Sequence, residues 1–421
     1  MIQTLIYTQR LFFKTLMKQY SKLLFTTLGA AFEYYDLAIY SVFAVTIGQK
    51  FFSESSNVSS TLLVFSVFIV GYLVRPLGAW GFGFLADKKG RAFVLRLNMF
   101  LLFFSTLTLA FLPTIEHIGV LATVCFVGLR CIQSLAIGAE IPISVIYIVE
   151  NYPKRKGLVT SLVFCCLSLG IMMTSVVLFL LNHYTSTKFV DNYGWRIGFF
   201  LGAVFTFVLF FLRKGIVDLP RIENDENTKK SSLSQLTIKV AIGIALVGCI
   251  AMLTTQLYMF LPTFYKLYLS SKLDVSGVLL SGSIIMAISC VIGGYISDYV
   301  SRTKMFIVLV LLSLAITPLL YKNIMLEKDV YSCFIMMSII MGFFASTYNV
   351  LIPELFKYEY KCRGYGLAYN LGYLVFSSGV PALTIYLISI TNSLMVPVYM
   401  VMFAGVVSLL GILTYERKVT S

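Results

Sequence analysis

Three features of the sequence predict an all-α integral membrane protein with twelve transmembrane helices in two six-helix bundles related by a pseudo-two-fold. The first is composition. Apolar residues make up 58% of the 421 and charged residues only 12%, with a mean hydropathy of +0.88, whereas a soluble domain carries about 25% charged residues. The second is run length, since a membrane-crossing helix needs roughly 20 predominantly apolar residues. Twelve runs qualify, near 22–47, 60–86, 92–113, 118–150, 157–183, 194–213, 236–268, 275–299, 304–322, 329–357, 363–391 and 394–415. The third is a repeat. Gly83-Phe-Leu-Ala-Asp87-Lys-Lys-Gly90-Arg91 returns in degenerate form as Gly294-Tyr-Ile-Ser-Asp298-Tyr-Val-Ser301-Arg302. Gly83 and Gly294, Asp87 and Asp298, and Arg91 and Arg302 each stand 211 positions apart, half the chain. That period between apolar runs points to a transporter built from two similar halves. The expected division is a bundle over 1–213, a polar linker over 214–235 and a second bundle over 236–421.

The net charge of +14 invites a nucleic-acid reading, but its placement argues against one. With the N-terminus inside, the cytoplasmic segments hold 22 of the 33 Lys and Arg, including Arg213 and Lys214. This is the positive-inside bias, and it puts both termini in the cytoplasm. The eight cysteines show no metal-ligand spacing and read as small packing residues. No Walker-type phosphate loop is present, so ATP is not the expected driver. No cofactor and no metal is expected. The N-terminal 21 residues read as an interfacial amphipathic lead-in, without a cleavable signal pattern.

In the first apolar run, Glu33, Asp36 and Tyr40 share one helical face at i, i+3 and i+7. Counting about 1.5 Å per residue from Lys22, the two acids lie roughly 16 to 21 Å deep. A charge there costs at least about 2.5 kcal/mol, so it should face a cavity or a partner. The second run offers Arg75 twelve residues before Asp87, with Pro76, Gly78, Gly81 and Gly83 beside it. The glycines allow close helix approach. Arg75 suits Glu33, Asp36 or an anionic substrate group as partner. In the fourth run Arg130, Gln133 and Glu140 share a face. Glu33, Asp36, Arg75 and Arg130 therefore form a nearly neutral buried set, which protonation of one acid would unbalance. A purely structural pairing of these charges is the alternative.

The joints form a second group. Asp87 ends a helix, where the macrodipole disfavours an acid, so either Arg91 or the positive N-terminus of another helix should compensate it. If that partner belongs to the other half, Asp87 ties the halves together. Glu150 ends the fourth run before Arg155, and Glu354 ends the tenth before Arg363. With Asp298 and Arg302 these give acids beside basic joints, expected to form contacts such as Asp87/Arg91 and Glu354/Arg363. The second half is quieter, offering Gln256, Tyr258, Tyr348, Asn349, Tyr369 and Asn370, for each of which a helix–helix hydrogen bond is the plainer reading.

Together these stretches resemble the major facilitator superfamily, and within it the metabolite:proton symporters that include proline/betaine and 2-oxoglutarate carriers. Gly83…Asp87…Gly90-Arg91 is similar to the superfamily's helix 2–3 signature and Arg130…Gln133…Gly138 to its helix 4 signature. Glu33-Tyr-Tyr-Asp36…Tyr40 and Arg75-Pro-Leu-Gly78 resemble marks of the subfamily. Ser134, Ser301 and Lys156-Gly157 depart from the usual pattern. The resemblance implies an alternating-access carrier of the superfamily's fold, with its substrate site between the halves. The expectation is a bacterial inner-membrane protein, not an enzyme, that imports a small polar metabolite by proton symport. The metabolite would be a zwitterion such as proline or betaine, or a carboxylate. The expected partners are the substrate, the proton and the bilayer, with no nucleic acid, and the chain is expected to be a monomer. A proton-independent facilitator or exchanger is the alternative, and a membrane sensor the different-class one.

Overall fold

The computed structural model describes residues 23–52, 57–216, 233–269 and 275–419. The expected lead-in, and all but the two ends of the expected 214–235 linker, lie outside them. Among the described residues the regular structure is entirely helical. The first half comprises α1 (Leu23–Val42), α2 (Asn57–Lys89), α3 (Arg91–Phe111), α4 (Val120–Asn151), α5 (Lys156–Tyr184) and α6 (Trp195–Leu212). The second comprises α7 (Leu233–Thr254), α8 (Val275–Ser297), α9 (Arg302–Leu326), α10 (Val330–Glu354), α11 (Lys361–Tyr373) and α12 (Val396–Val419). Among the described residues eleven spans are long and apolar enough to cross a membrane, and twelve when the bent first one is included.

Three of the expected runs are not continuous α-helices. The first turns by 69° between α1 and a further helix, Ala44–Phe51. Phe51 drives that arrangement, stacking on Phe126 of α4 at 4.6 Å and meeting Trp195 of α6 edge-on at 5.4 Å. α7 and α11 each pass through a π-helical turn, Thr255–Phe260 and Leu374–Ser378, before continuing as Leu261–Tyr268 and Val380–Thr391. Such turns open the backbone ladder and recur at functional sites.

The packing repeats between halves. α2 lies on α4 as α8 lies on α10, and α3 lies on α6 as α9 lies on α12. Backbone contact between α2 and α4 is close because two glycines interlock: a Cβ on Gly78 would strike the Leu135 carbonyl, and one on Gly138 the Arg75 carbonyl. Across the halves α5 meets α8 and α2 meets α11, the same pairing seen from each side of the pseudo-two-fold. The α2–α3, α4–α5, α8–α9 and α10–α11 joints gather at one end, referred to below as the basic end.

Candidate functional site

Most of the first group of predicted residues converges on α1, α2 and α4 of the first half, facing the second. Glu33 accepts a hydrogen bond from Arg75 Nη1 at 2.7 Å, with both side chains at most 10% exposed. One turn along α1, Asp36 receives Arg130 Nη1 at 2.9 and 3.0 Å. Arg130 Nη1 also donates to Gln133 Oε1 at 2.7 Å, and Gln133 Nε2 in turn to Thr106 of α3. Each guanidinium lies over a tyrosine ring: Arg75 over Tyr72 at 4.3 Å and Arg130 over Tyr40 at 4.1 Å. The expected four-charge cluster is thus two discrete pairs on successive turns, each neutral by itself.

Two small adjoining cavities abut these pairs. One is lined within the first half by Asp36, Arg75, Arg130, Gln133 and Ser134. The other lies between halves, where Glu33, Tyr34, Tyr72 and Arg75 face Thr254, Met259, Tyr369, Tyr373 and Ser377. Tyr72 and Arg75 line both. Met259 belongs to the α7 π turn and Ser377 to the α11 π turn, and Thr255 Oγ1 donates to Ser377 Oγ at 2.7 Å, joining the two turns. Of these second-half residues only Tyr369 had been singled out in the sequence. The signal for Tyr373 is Tyr365, Tyr369 and Tyr373 at i, i+4 and i+8, one aromatic stripe, and Thr254, Met259 and Ser377 carry none.

One predicted member is elsewhere. Glu140 is 1% exposed and pairs at 2.6 Å with Arg213, whose side chain has no exposure. Arg213 also donates to the carbonyls of Phe25, Thr26 and Leu95, and Asn98 and Ser144 donate to Glu140. This corrects two expectations: Glu140 lines neither cavity, and Arg213 is not a solvated cytoplasmic charge. Sharing a helical face with Gln133 put Glu140 at the site on paper, but seven residues along α4 it meets α1, α3 and the end of α6 instead.

The joint residues meet at the basic end. Asp87 accepts from the amides of Cys362 and Arg363 at 3.3 and 3.4 Å and from Arg363 Nε at 3.2 Å. These are the first turn of α11, so the N-terminus of a helix in the other half compensates the acid. Arg91 lies 3.8 Å from Asp87 and binds Glu150 at 3.3 Å. Gly90 joins α2 to α3 at φ 106°, a backbone that side-chain-bearing residues rarely adopt, and a Cβ on Gly83 would lie 3.0 Å from the Cα of Arg363. Asp298 mirrors this, accepting from the Gly157 and Leu158 amides of α5 at 2.7 and 3.1 Å and pairing with Arg302 at 3.0 Å.

The expected Glu354/Arg363 contact is replaced. Glu354 takes Lys156 at 2.9 Å and Arg302 at 3.7 Å, leaving Arg363 to Asp87. Arg155 is exposed, and its neighbour Lys156 reaches the other half. Of the quieter residues, Asn370 Nδ2 bridges the halves to the Gly138 carbonyl at 2.7 Å. Gln256, Tyr258 and Asn349 bond within their own half, to Thr384, Ser338 and Tyr365.

Two equivalent helical halves, closed against each other at one end and enclosing buried charges between them, define a membrane transport protein. The chain belongs to the Major Facilitator Superfamily, whose profile matches residues 26–380. It is 27% identical to the "Putative proline/betaine transporter" of Staphylococcus aureus strain MSSA476, covering 92% of this chain and 85% of that one. It is 29% identical to the citrate-proton symporter of Klebsiella pneumoniae, covering 93% and 90%. A solved structure of the proton:xylose symporter XylE, a protein of Escherichia coli, superposes with a TM-score of 0.75 at 15% identity, covering 95% and 96%. That likeness is one of fold.

Proposed function

We propose that this protein is a secondary active importer that moves a small polar metabolite, a zwitterion or a carboxylate, together with a proton by alternating access. The observation that carries the reading is the pairing of Glu33 with Arg75 beside a cavity shared by the halves, and of Asp36 with Arg130 beside the adjoining one. An acid held by an arginine at that depth is stable only as a pair. Protonating the acid frees the arginine for an anionic substrate group, and losing the proton reclaims it. Proton and substrate carboxylate then bind together. The names of the relatives, a citrate-proton symporter among them, agree with this reading.

The basic end takes the cytoplasmic side by the positive-inside rule, with both termini there and the membrane a bacterial plasma membrane. Asp87, Asp298 and Glu354 hold that side shut, so the conformation described is closed to the cytoplasm. The working unit is a monomer whose bundles, 1–213 and 236–421, rock about the site. Alternating access then needs only that substrate bind the two states with different affinity.

The test is uptake by proteoliposomes with the outside acidic, using labelled betaine, proline, 2-oxoglutarate and citrate, with and without a protonophore. Accumulation of one compound that collapses with protonophore is the expected result. Equilibration indifferent to the gradient would replace symport with the facilitator reading, in which both ion pairs serve structure.

A further inference from the structure

Resting on that reading, we infer that the site between the halves takes a substrate with one carboxylate and one alkylated ammonium group, in preference to a di- or tricarboxylate. Three observations carry this. First, Arg75 has a free edge. Nη1 serves Glu33, while the buried Nε has no hydrogen-bond partner among the described residues. A guanidinium edge of that kind is the natural seat of a carboxylate.

Second, the cavity has no charge left for a second carboxylate. Its charged lining is Glu33 and Arg75 alone, because the second half contributes only Thr254, Met259, Tyr369, Tyr373 and Ser377. With Glu33 protonated, Arg75 balances one seated carboxylate, and a second carboxylate finds no counter-charge in this lining. When Glu33 gives up its proton, a cation on the same substrate is its counter-ion while Arg75 holds the carboxylate, whereas each added carboxylate brings an unbalanced charge. Arg130 in the adjoining cavity is already held by both oxygens of Asp36.

Third, four of the remaining lining residues are tyrosines. They are Tyr34, Tyr72, Tyr369 and Tyr373, and the Tyr369 and Tyr373 rings lie 4.8 Å apart. Two of their hydroxyls are already engaged, Tyr373 with Tyr348 at 3.4 Å and Tyr72 with Ser377 across the halves. Ring faces are electron-rich, so they attract a soft cation and repel a carboxylate. The protein already demonstrates this, because Glu33 and the Tyr72 ring together hold the guanidinium of Arg75. A methylated ammonium finds the same chemistry at Tyr369 and Tyr373.

The test is counterflow with the reconstituted full chain at equal pH on both sides. The panel is glycine betaine, proline, choline, propionate, 2-oxoglutarate and citrate. Glycine betaine is expected to exchange fastest, with choline and propionate, each carrying one of its two charges, well behind. Tyr369→Leu is expected to raise the half-saturating concentration about tenfold, in line with loss of a desolvated cation–π contact. Tyr369→Phe, which keeps the ring, recovers most of that loss. Exchange of citrate or 2-oxoglutarate at the betaine rate, equal behaviour of the two Tyr369 variants, or exchange of nothing in the panel would each overturn the inference. Because counterflow needs no proton gradient, a protein without proton coupling still passes this test. A proton symporter of dicarboxylates fails this one alone.

Discussion

Asp87 and Asp298, 211 positions apart, make the same contact from opposite halves. Asp87 accepts from the opening amides of α11, Cys362 and Arg363, and Asp298 from those of α5, Gly157 and Leu158. Each acid ends a helix whose own dipole opposes it and is repaid by the N-terminus of a helix across the interface. The carboxylates are therefore comfortable only while the basic end is closed.

Replacing Asp87 by Asn keeps the shape and removes the charge. A hydrogen bond to a charged group contributes about 1.5–3 kcal/mol, so the open form gains about tenfold or more. Cys362, 1% exposed behind this contact, is expected to be alkylated by N-ethylmaleimide correspondingly faster, read by mass spectrometry. An unchanged labelling rate would show that Asp87 does not hold the end shut.

Asp298→Asn is expected to act in the same direction. The two contacts lie on different helix pairs and share no partner, so their free energies should add. In the double variant the acceleration at Cys362 equals the product of the single ones. A double variant no faster than the stronger single one would mean that one contact alone governs closure.

Asp36→Asn keeps a partner for Arg130 while removing the titratable group. Gradient-driven accumulation is expected to fall to equilibration, with counterflow retained. Accumulation that survives in full removes Asp36 from the coupling scheme.

Breaking the Glu140–Arg213 pair leaves one charge stranded where neither side chain is more than 1% exposed. Glu140→Gln is expected to cost about 3–5 kcal/mol, seen as a lower melting temperature in detergent and less folded protein. Glu140→Met combined with Arg213→Met removes both charges and restores much of the loss. A stable Glu140→Gln that fails only in transport would return Glu140 to the substrate site.

Gly138→Ala places a methyl group against the Arg75 carbonyl. α2 and α4 must separate, and backbone displacement in a packed core costs about 1–3 kcal/mol. Because the displaced residue is Arg75 itself, uptake is expected to fall further than thermal stability does. An equal effect at Gly81, where a Cβ meets nothing within 4 Å, would refute this account.

By itself the sequence determined the membrane class, the spans and the repeat, because these depend on run length, charge placement and period, all of which are local. It also determined that Glu33 and Asp36 need a partner or a cavity, with Arg75 a natural partner and Arg130 at similar depth, since single buried charges there are costly. Which arginine takes which acid was a matter of helix rotation, and only the packing of α1 against α2 and α4 decided it. Glu140 shows the limit most clearly. Helical periodicity put it on the face of Gln133, but a face seven residues long curves past one neighbour and meets another, and Arg213 was waiting there from the far end of α6. The exchange of Glu354's partner from Arg363 to Lys156 has the same origin, since the closed interface sets α5 beside α10 and α11 beside α2. The π turns of α7 and α11 left no mark in the hydrophobic pattern, because an extra residue in a turn shifts register without changing composition. They bring Met259 and Ser377 to the cavity, and that contribution belongs to the tertiary structure alone.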